Sequence, residues 1–185
     1  MAKQKVDEQK IINESLKLFR LKSFHTTSMA DIAQACGIQK GSLYHYFASK
    51  EDLMMKVIAN VHSFFREEVF SIAYDESIEP LERLDKMFTR TMSIFKDKES
   101  GEMTGNVGVE TALVIPDFQP VIQEFFQDFF DAIKNVYASK YSDVIANELA
   151  ERAVAEIEGS LMLARIFSNN TFMQNTHKRL VARLQ

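Results

Sequence analysis

The chain has little of the residues that cross-link folds or interrupt helices. Its 185 residues include one cysteine, three prolines, six glycines and no tryptophan. The single thiol, Cys36, excludes an internal disulfide framework and a cysteine pair for a metal. The prolines, at positions 80, 116 and 120, stand apart between long periodic stretches, and this pattern favours helices. With 46% apolar residues the chain can bury a sizeable core.

Long apolar runs and grouped catalytic residues are also missing. No stretch approaches the roughly 20 apolar residues of a membrane span, and residues 1–10 are polar and unlike a signal peptide. We therefore expect a cytoplasmic protein with no membrane partner. The strongest rival is an enzyme built on a helical bundle, but the four histidines are scattered and no Glu-x-x-His pair, phosphate-binding glycine loop or nucleophile elbow occurs. We expect no enzyme, no metal site and no cofactor.

Charge is distributed unevenly along the chain. The formal net charge is −4, yet residues 1–50 carry eight Lys or Arg against four Asp or Glu, so the remaining residues are strongly acidic. A basic head on an acidic body suits a protein that contacts phosphate with one end, because binding to nucleic acid depends on local potential. Chance is the alternative explanation of this asymmetry.

Turn chemistry predicts a helix-turn-helix in the first fifty residues. Periodic apolar residues predict a helix over 7–22, and a hydroxyl-rich stretch, with Thr27 as the preferred cap, precedes a short helix over 29–36. Gly37 ends that helix, because a residue without Cβ readily adopts the left-handed backbone of a helix C-terminus. A third helix follows over 39–47, which completes the pattern.

The predicted fold is all-α. Residues 1–50 form an N-terminal three-helix helix-turn-helix domain, in which Cys36 is a small buried hydrophobe rather than a reactive thiol. Residues 51–185 form an antiparallel helical bundle for ligand binding and dimerisation. The helices predicted beyond the head cover 50–73, 80–98, 110–115, 117–139, 144–168 and 171–184. The first of them passes from the head into the bundle, so a movement of the bundle would swing the head.

Residues 27–53 (TSMADIAQACGIQKGSLYHYFASKEDL) closely resemble the DNA-binding signature of the tetracycline-repressor (TetR) family. The resemblance extends upstream over residues 11–24, and the stretches 101–110 and 158–165, with Pro116, are similar to one branch of that family. This resemblance implies a sequence-specific regulator that binds a palindromic operator in double-stranded DNA as a homodimer. A ligand-responsive repressor is the preferred interpretation, and an activator or a ligand-independent organiser is the alternative.

Residue chemistry divides the candidate DNA contacts of the head into two groups. The candidates for phosphate contact are Lys50, Thr27 and Tyr44, and Gly41 would let the two backbones approach. The candidates for base-edge contact in the major groove are Gln39, Lys40, Ser42, His45 and Tyr46. Alternatives stay open for several of them. Tyr44, Tyr46 and Phe47 also fit core aromatics, which is preferred for Phe47, and His45 also fits a solvated surface histidine.

The phenylalanine- and methionine-rich body is suited to enclosing a small, largely apolar effector. By comparison with the family, its pocket is expected among the helices between residues 80 and 168. The candidate wall residues are Phe88, Met92, Phe95, Met103, Glu110, Phe126, Phe130 and Arg165. The dimer surface is expected on the helices over 118–139 and 144–167, although packing within one subunit explains the same residues. Effector binding would shift the population toward a state that fits the operator poorly.

Overall fold

The structure, a computed structural model, describes residues 7–94 and 115–185. Within these residues it is all-helical and contains no strand, so the predicted fold class is confirmed. Eight α-helices lie in the described ranges: α1 (Glu8–Lys22), α2 (Met29–Cys36), α3 (Lys40–Leu43), α4 (Lys50–Glu68), α5 (Pro80–Ile94), α6 (Gln119–Ala138), α7 (Asp143–Ile166) and α8 (Thr171–Ala182). The predicted helix over 110–115 lies almost entirely outside them.

The chain divides into two compact units. Of the described residues, unit 1 comprises 7–63 and 115–122, and unit 2 comprises 64–94 and 123–185. The predicted domain boundary at residue 50 stays a prediction, because helices α4 and α6 each contribute residues to both units.

The first helix of unit 1 buries one apolar face. Asp7 caps it, because the Asp7 carboxylate accepts a hydrogen bond from the Gln9 N–H at 3.2 Å. Ile11, Ile12 and Phe19 are all buried along one face of the helix. The apolar periodicity therefore predicts both the extent of α1 and the face that it packs against the core.

The core of unit 1 is closed by α2, α3, α4 and a 3₁₀ turn. Its most buried side chains in α2–α4 and the connecting turn are Ile32, Leu43, Phe47, Leu53, Met54, Val57 and Ile58. The 3₁₀ turn Pro116–Phe118 adds Phe118, which has no exposed surface and meets the Phe24 ring edge to face at 5.4 Å between centroids. The segment before α6 is therefore part of the core of the head.

Helix α4 ends earlier than the sequence predicts. Periodicity predicts a helix over 50–73, but α4 ends at Glu68 and is followed by the 3₁₀ segment Phe70–Tyr74. The carbonyl of Ala73 accepts hydrogen bonds from the Arg83 guanidinium at 3.3 Å and from the Asn135 amide at 2.9 Å. Both donors are distant in sequence, so apolar periodicity cannot show that this carbonyl leaves the helical pattern.

Phenylalanines occupy the centre of unit 2. Phe65, Phe70, Phe125 and Phe129 contact one another with ring centroids 5.3 to 5.9 Å apart. Such tilted and stacked arrangements stabilise a core beyond the area that they bury. The phenylalanine-rich stretch that predicted a helix over 117–139 thus supplies much of the centre of this unit.

The last two helices pack against each other as antiparallel neighbours. Only residues 167–170 join α7 to α8, and so short a connection reverses the chain direction. Arg179 and Arg183 both form ion pairs with Glu156 of α7. Tyr137 of α6 is fully buried and donates a hydrogen bond to the Leu180 carbonyl at 3.2 Å. These contacts fix α8 onto α6 and α7.

Candidate DNA-binding surface and apolar cavity

A reciprocal capping box starts helix α2. The Ser28 hydroxyl accepts a hydrogen bond from the Asp31 N–H at 3.2 Å, and the Asp31 carboxylate accepts one from the Ser28 N–H at 2.9 Å. Hydrogen bonds from the Ser28 side chain and N–H lower the pKa of Asp31 to about 2. The prediction that Thr27 caps α2 is therefore wrong, because the cap is Ser28. The Thr27 hydroxyl turns the other way and donates to the Ser23 carbonyl at 2.7 Å.

Gly37 makes the turn between α2 and α3, as predicted. Its φ is +72°, in the left-handed region, and the next N–H, that of Ile38, donates to the Ala33 carbonyl at 3.0 Å. This pattern is a Schellman motif, which satisfies the carbonyls left free at a helix end. The turn thereby fixes the direction in which the chain enters α3.

The segment over residues 39–47, which we call the recognition segment, is only partly α-helical. Helix α3 covers four residues, and the chain then continues in tight turns in which the Leu43 carbonyl accepts from the N–H groups of Tyr46 and Phe47. The predicted helix over 39–47 is therefore too long. Leu43 and Phe47 are buried, which confirms the core interpretation of Phe47.

The other side chains of the recognition segment face away from the core of unit 1. Gln39, Lys40, Gly41, Tyr44 and His45 are exposed, and Ser42 and Tyr46 are half-buried. A Cβ added at Gly41 would meet no atom within 4 Å, so packing within the protein does not require glycine there. The structure thus brings all predicted DNA contacts except Thr27 and Lys50 onto one short segment.

Thr27 and Lys50 make contacts inside the head instead. Thr27 is 1% exposed. Lys50, the first residue of α4, donates from its ammonium group to the carbonyls of Phe24 at 2.8 Å and Thr27 at 3.1 Å. The same ammonium lies 4.1 Å from the centroid of the Phe24 ring. In this conformation both side chains stabilise the segment between α1 and α2.

Cys36 is a buried core residue. Its side chain is 2% exposed on the inner face of α2. Burial raises the pKa of its thiol, and the nearby Glu14 carboxylate raises it further. Because the thiolate is the reactive form, Cys36 is a packing residue, as the sequence predicts.

Unit 2 contains an apolar cavity with a volume of about 40 Å³. Its walls come from α5, α6, α7, α8 and the residue after α4. The lining residues are Val69, Leu84, Met87, Phe88, Thr91, Phe129, Ile133, Ile157, Met173, Thr176, His177 and Leu180. The wall is almost entirely hydrocarbon. The hydroxyl of Thr91, one of its few polar groups, donates to the Met87 carbonyl at 2.8 Å.

His177 is the one ionisable residue that lines this cavity. Its ring stacks on that of Phe88, with centroids 4.0 Å apart, and its Nε2 lies 3.1 Å from the Asp85 carboxylate. Burial lowers the pKa of the imidazole, and the raising effect of Asp85 offsets this only in part. The neutral ring is therefore favoured near pH 7, and the cavity carries no net charge.

The structure brings one of the predicted pocket residues, Phe88, to this cavity. Met92, Phe126, Phe130 and Arg165 do not line it. Phe95, Met103 and Glu110 lie outside the described residues. The helical stripe through positions 84, 87, 88 and 91 is visible in the sequence, but the α8 residues that complete the wall, among them Met173 and His177, carry no local signal of facing it.

The described ranges, residues 7–94 and 115–185, contain neither a metal-binding cluster nor a membrane-spanning helix. No group of three or more His, Cys, Asp or Glu side chains there is arranged to hold a metal ion. No helix in those ranges is long and apolar enough to cross a membrane.

Comparison with known proteins agrees with this architecture. Residues 11–57 match the family model described as bacterial regulatory proteins, tetR family. Residues 80–179 match the model described as the C-terminal domain of LmrA/YxaF-like transcriptional regulators, which alone covers more than half of the chain. The chain belongs to the TetR family. TetR-family proteins are DNA-binding transcriptional regulators and not enzymes. The predicted family and the expectation that the chain is not an enzyme are therefore confirmed.

Two similar HTH-type regulators come from Bacillus subtilis (strain 168). The HTH-type regulator YxaF, itself uncharacterized, is 29% identical over 161 residues, which cover 84% of this chain and 83% of YxaF. The HTH-type transcriptional regulator LmrA is 25% identical over 171 residues, covering 88% of both chains. The likeness extends over the head and the body.

Solved structures share the fold. A TetR regulator from Legionella pneumophila superposes with a TM-score of 0.87 at 22% identity, with 97% of each chain covered. The reduced form of NemR from E. coli superposes with a TM-score of 0.82 at 14% identity, with 94% of each chain covered. Identities this low support the fold alone.

Proposed function

We propose that this TetR-family regulator is a homodimeric repressor that binds a palindromic operator in double-stranded DNA and is released by a small, largely apolar effector. The recognition segment carries the proposal. It presents polar and aromatic side chains to solvent, while a capping box, a left-handed glycine and two buried anchors, Leu43 and Phe47, hold its backbone. Rigid presentation of base-reading side chains is what major-groove recognition requires.

The contacts within this surface follow from exposure and chemistry. Gln39, Lys40 and His45 are exposed and carry hydrogen-bonding groups suited to base edges, whereas Ser42 and Tyr46 are half-buried. Tyr44, whose side chain is 46% exposed, is suited to a phosphate contact through its hydroxyl. Gly41 lets the backbone approach the DNA. Thr27 is proposed to stabilise the fold of the head rather than to contact DNA, because it is buried and its hydroxyl donates to the Ser23 carbonyl.

Dimerisation is proposed through α7. Met162, Ile166 and Phe167 are 58%, 66% and 63% exposed near its C-terminal end, whereas Ala150, Ala153 and Ala164 on other faces of the same helix are buried. By contrast, the fully exposed positions of α6 within unit 2 are mainly polar, as Gln123, Glu124, Gln127 and Asp131 illustrate. The proposed interface is therefore narrower than the sequence predicts. A two-fold dimer requires an operator with matching symmetry.

The apolar cavity of unit 2 is the proposed effector site. Its largely hydrocarbon wall disfavours a charged effector, because the neutral His177 ring is the only ionisable group in the wall that could replace part of the lost hydration of a charge. An apolar cavity of about 150 Å³ holds benzene, so a volume of about 40 Å³ requires side chains to move before an effector enters. Binding therefore selects a different conformation of unit 2, which lowers operator affinity. Since the target is DNA, the site of action is the cytoplasm.

Selection of bound DNA from a random pool tests this function. The purified full chain is expected to enrich one palindromic sequence, with affinity that falls steeply as salt rises. Lack of any enriched sequence contradicts operator binding, and enrichment of a single half-site contradicts the dimer.

The variant His45→Ala then tests the recognition segment. Loss of a good base contact costs about 1–3 kcal/mol, so affinity for the selected site should fall roughly tenfold while affinity for scrambled DNA stays the same. The control is Gln127→Ala, an exposed change on α6, which should alter neither value. Equal losses on both DNAs would mean that His45 does not read bases.

A further inference from the structure

We propose that His177 selects the effector of the apolar cavity, and that this effector is a neutral, mainly hydrocarbon molecule with one hydroxyl group. The hydroxyl pairs with the ring nitrogen Nε2 of His177, and the hydrocarbon part of the effector packs against the rest of the wall. This inference rests on the proposed effector site and defines the chemical class that the site takes.

Of the polar side chains that line the cavity, His177 is the one with a buried polar atom left unpaired. The Thr91 hydroxyl donates to the Met87 carbonyl at 2.8 Å, and the Thr176 hydroxyl accepts from the Arg179 guanidinium at 2.8 Å. Nε2 of His177 is shielded from solvent and has no hydrogen-bond partner among the described residues. A buried polar atom without a partner raises the free energy of a protein. A ligand that pairs with Nε2 removes this cost.

The Asp85 carboxylate does not take the place of such a ligand. Its Oδ1 lies 3.1 Å from Nε2 of His177, a distance that allows a hydrogen bond, but the two groups are not aligned for one. The Asp85 side chain is 54% exposed, so water solvates its charge. It does not line the cavity and offers no counter-charge to a cation inside, while its closeness to His177 disfavours an anion there. Nε2 is therefore available to a neutral group.

A hydroxyl suits this nitrogen because it both donates and accepts. A neutral imidazole has one nitrogen that donates and one that accepts, so a hydroxyl pairs with Nε2 in either tautomer, whereas a carbonyl or ether oxygen only accepts. Burial lowers the pKa of the His177 imidazole, which favours the neutral ring. A second hydroxyl would lie against hydrocarbon such as that of Met87 or Phe129 and would lose its hydration without a new partner. One hydroxyl is therefore the expected number.

His177 stays beside the cavity when lining side chains change rotamer. Its helix, α8, is held by Tyr137, which donates to the Leu180 carbonyl at 3.2 Å, and by two ion pairs with Glu156. These contacts lie outside the side chains that must move to admit an effector. The imidazole therefore remains within reach of a molecule that enters the enlarged cavity.

Two probe compounds of similar shape test this selection. Cyclohexanol carries the hydroxyl, and chlorocyclohexane has a chlorine atom in its place. Calorimetric titration of the purified full chain, without DNA, gives both dissociation constants. In His177→Phe, which keeps an aromatic ring but removes both nitrogens, affinity for cyclohexanol should fall about five- to tenfold relative to that for chlorocyclohexane. An unchanged ratio would overturn the proposal.

The matched control is His25→Phe, the same change at an exposed residue of unit 1, which should leave the ratio of the two affinities unchanged. A cyclohexanediol should bind more weakly than cyclohexanol, and tighter binding of the diol contradicts the limit to one hydroxyl.

Nuclear magnetic resonance of the wild-type protein tests the same contact without any variant. The nitrogen chemical shift of Nε2 in His177 should change on addition of cyclohexanol and much less on addition of chlorocyclohexane, because only the alcohol forms a hydrogen bond to the ring. Equal changes contradict the pairing.

The outcomes distinguish selection by His177 from the proposed effector site. If both compounds bind and neither the variant nor the nitrogen shift discriminates between them, the apolar effector site stands and selection by His177 fails. If neither compound binds to the wild type, both fail. Operator binding is measured separately, by the selection of DNA from a random pool, and does not depend on either result.

Discussion

Gly37 and Gly41 lie four residues apart in the head and differ in backbone conformation. Gly37 has a φ of +72°, which side chains with a Cβ adopt only at a cost, whereas Gly41 lies in α3 and has open space around it. Glycine is therefore required at position 37 by the turn. At position 41 the fold does not require it, which leaves the approach of DNA as its proposed reason.

Alanine at these two positions should give opposite results. Gly37→Ala is expected to lower the free energy of unfolding by about 1–2 kcal/mol, because alanine is strained in the left-handed region. Gly41→Ala should leave stability unchanged or raise it by up to about 1 kcal/mol, yet weaken operator binding. Urea denaturation and fluorescence anisotropy with labelled operator measure the two effects. Tight operator binding by Gly41→Ala would exclude a close backbone approach there.

The sequence predicts which residues form the recognition segment better than what each side chain does. Exposure of Gln39, Lys40 and His45 follows from local spacing, because Leu43 and Phe47 fix the inner face. Lys50 and Thr27 have the chemistry of phosphate contacts. In the structure the Thr27 hydroxyl donates to the nearby Ser23 carbonyl, whereas the Lys50 ammonium donates to carbonyls 26 and 23 positions away, those of Phe24 and Thr27. Hydrogen bonds between residues more than 20 positions apart leave no mark on local sequence pattern.

At the scale of elements, caps and turns determine how well a helix can be predicted. α2 begins and ends where the sequence predicts, because Gly37 acts within its own neighbourhood. α4 and the recognition segment are shorter than predicted, since their ends depend on tight turns and on distant donors such as Arg83 and Asn135. Apolar periodicity continues through such turns and does not show them.

The 3₁₀ turn before α6 is expected to contribute strongly to the stability of the head. Phe118→Ala removes a ring with no exposed surface that contacts Phe24, and should lower the free energy of unfolding by about 3–5 kcal/mol. Its neighbour Asp117 is exposed, so Asp117→Ala should stay within about 0.5 kcal/mol of the wild type. Urea denaturation followed by circular dichroism measures both. A loss below about 1 kcal/mol for Phe118→Ala would mean that this turn is not a packed part of the core.

At the scale of the whole molecule, α7 has apolar residues on more than one face. The buried face is explained by packing within unit 2. The exposed one, at Met162, Ile166 and Phe167, remains largely open to solvent, although the Phe167 ring contacts that of Phe172 with centroids 5.5 Å apart. Exposed apolar patches of this kind commonly mark interfaces. A single sequence cannot show which of the two faces is buried within the subunit, because both are apolar.

The variant Ile166→Glu tests the proposed dimer. Placing an unpaired charge in an apolar interface should weaken dimerisation by at least about tenfold, while an exposed position leaves the monomer fold intact. Leu21→Glu, the same kind of change at an apolar residue of α1 that is 68% exposed, is the control and should not alter assembly. Sedimentation equilibrium gives the association constants. An unchanged dimer in Ile166→Glu would place the interface elsewhere.

The cavity shows the limit of prediction at this scale. The sequence predicts both Phe88 and Met92 for the wall, and only Phe88 lines the cavity. The two residues are four positions apart and share one face of α5, so which of them borders the cavity depends on where along the helix the gap lies. Helical periodicity predicts the apolar face of a helix, but it does not predict which residues of that face border the cavity. Packing of the other helices decides that.

The small volume of this cavity also sets the pace of the proposed response. In this proposal an effector larger than a water molecule enters only while lining side chains such as Met87, Phe88 and Met173 adopt other rotamers that enlarge the cavity. Collective openings of this kind take roughly microseconds to milliseconds. The rate of operator release should therefore level off at high effector concentration, at the frequency of opening. Mutations that change the packing around the cavity would then change how fast the regulator responds in the cell, even where the mutated residue does not contact the effector.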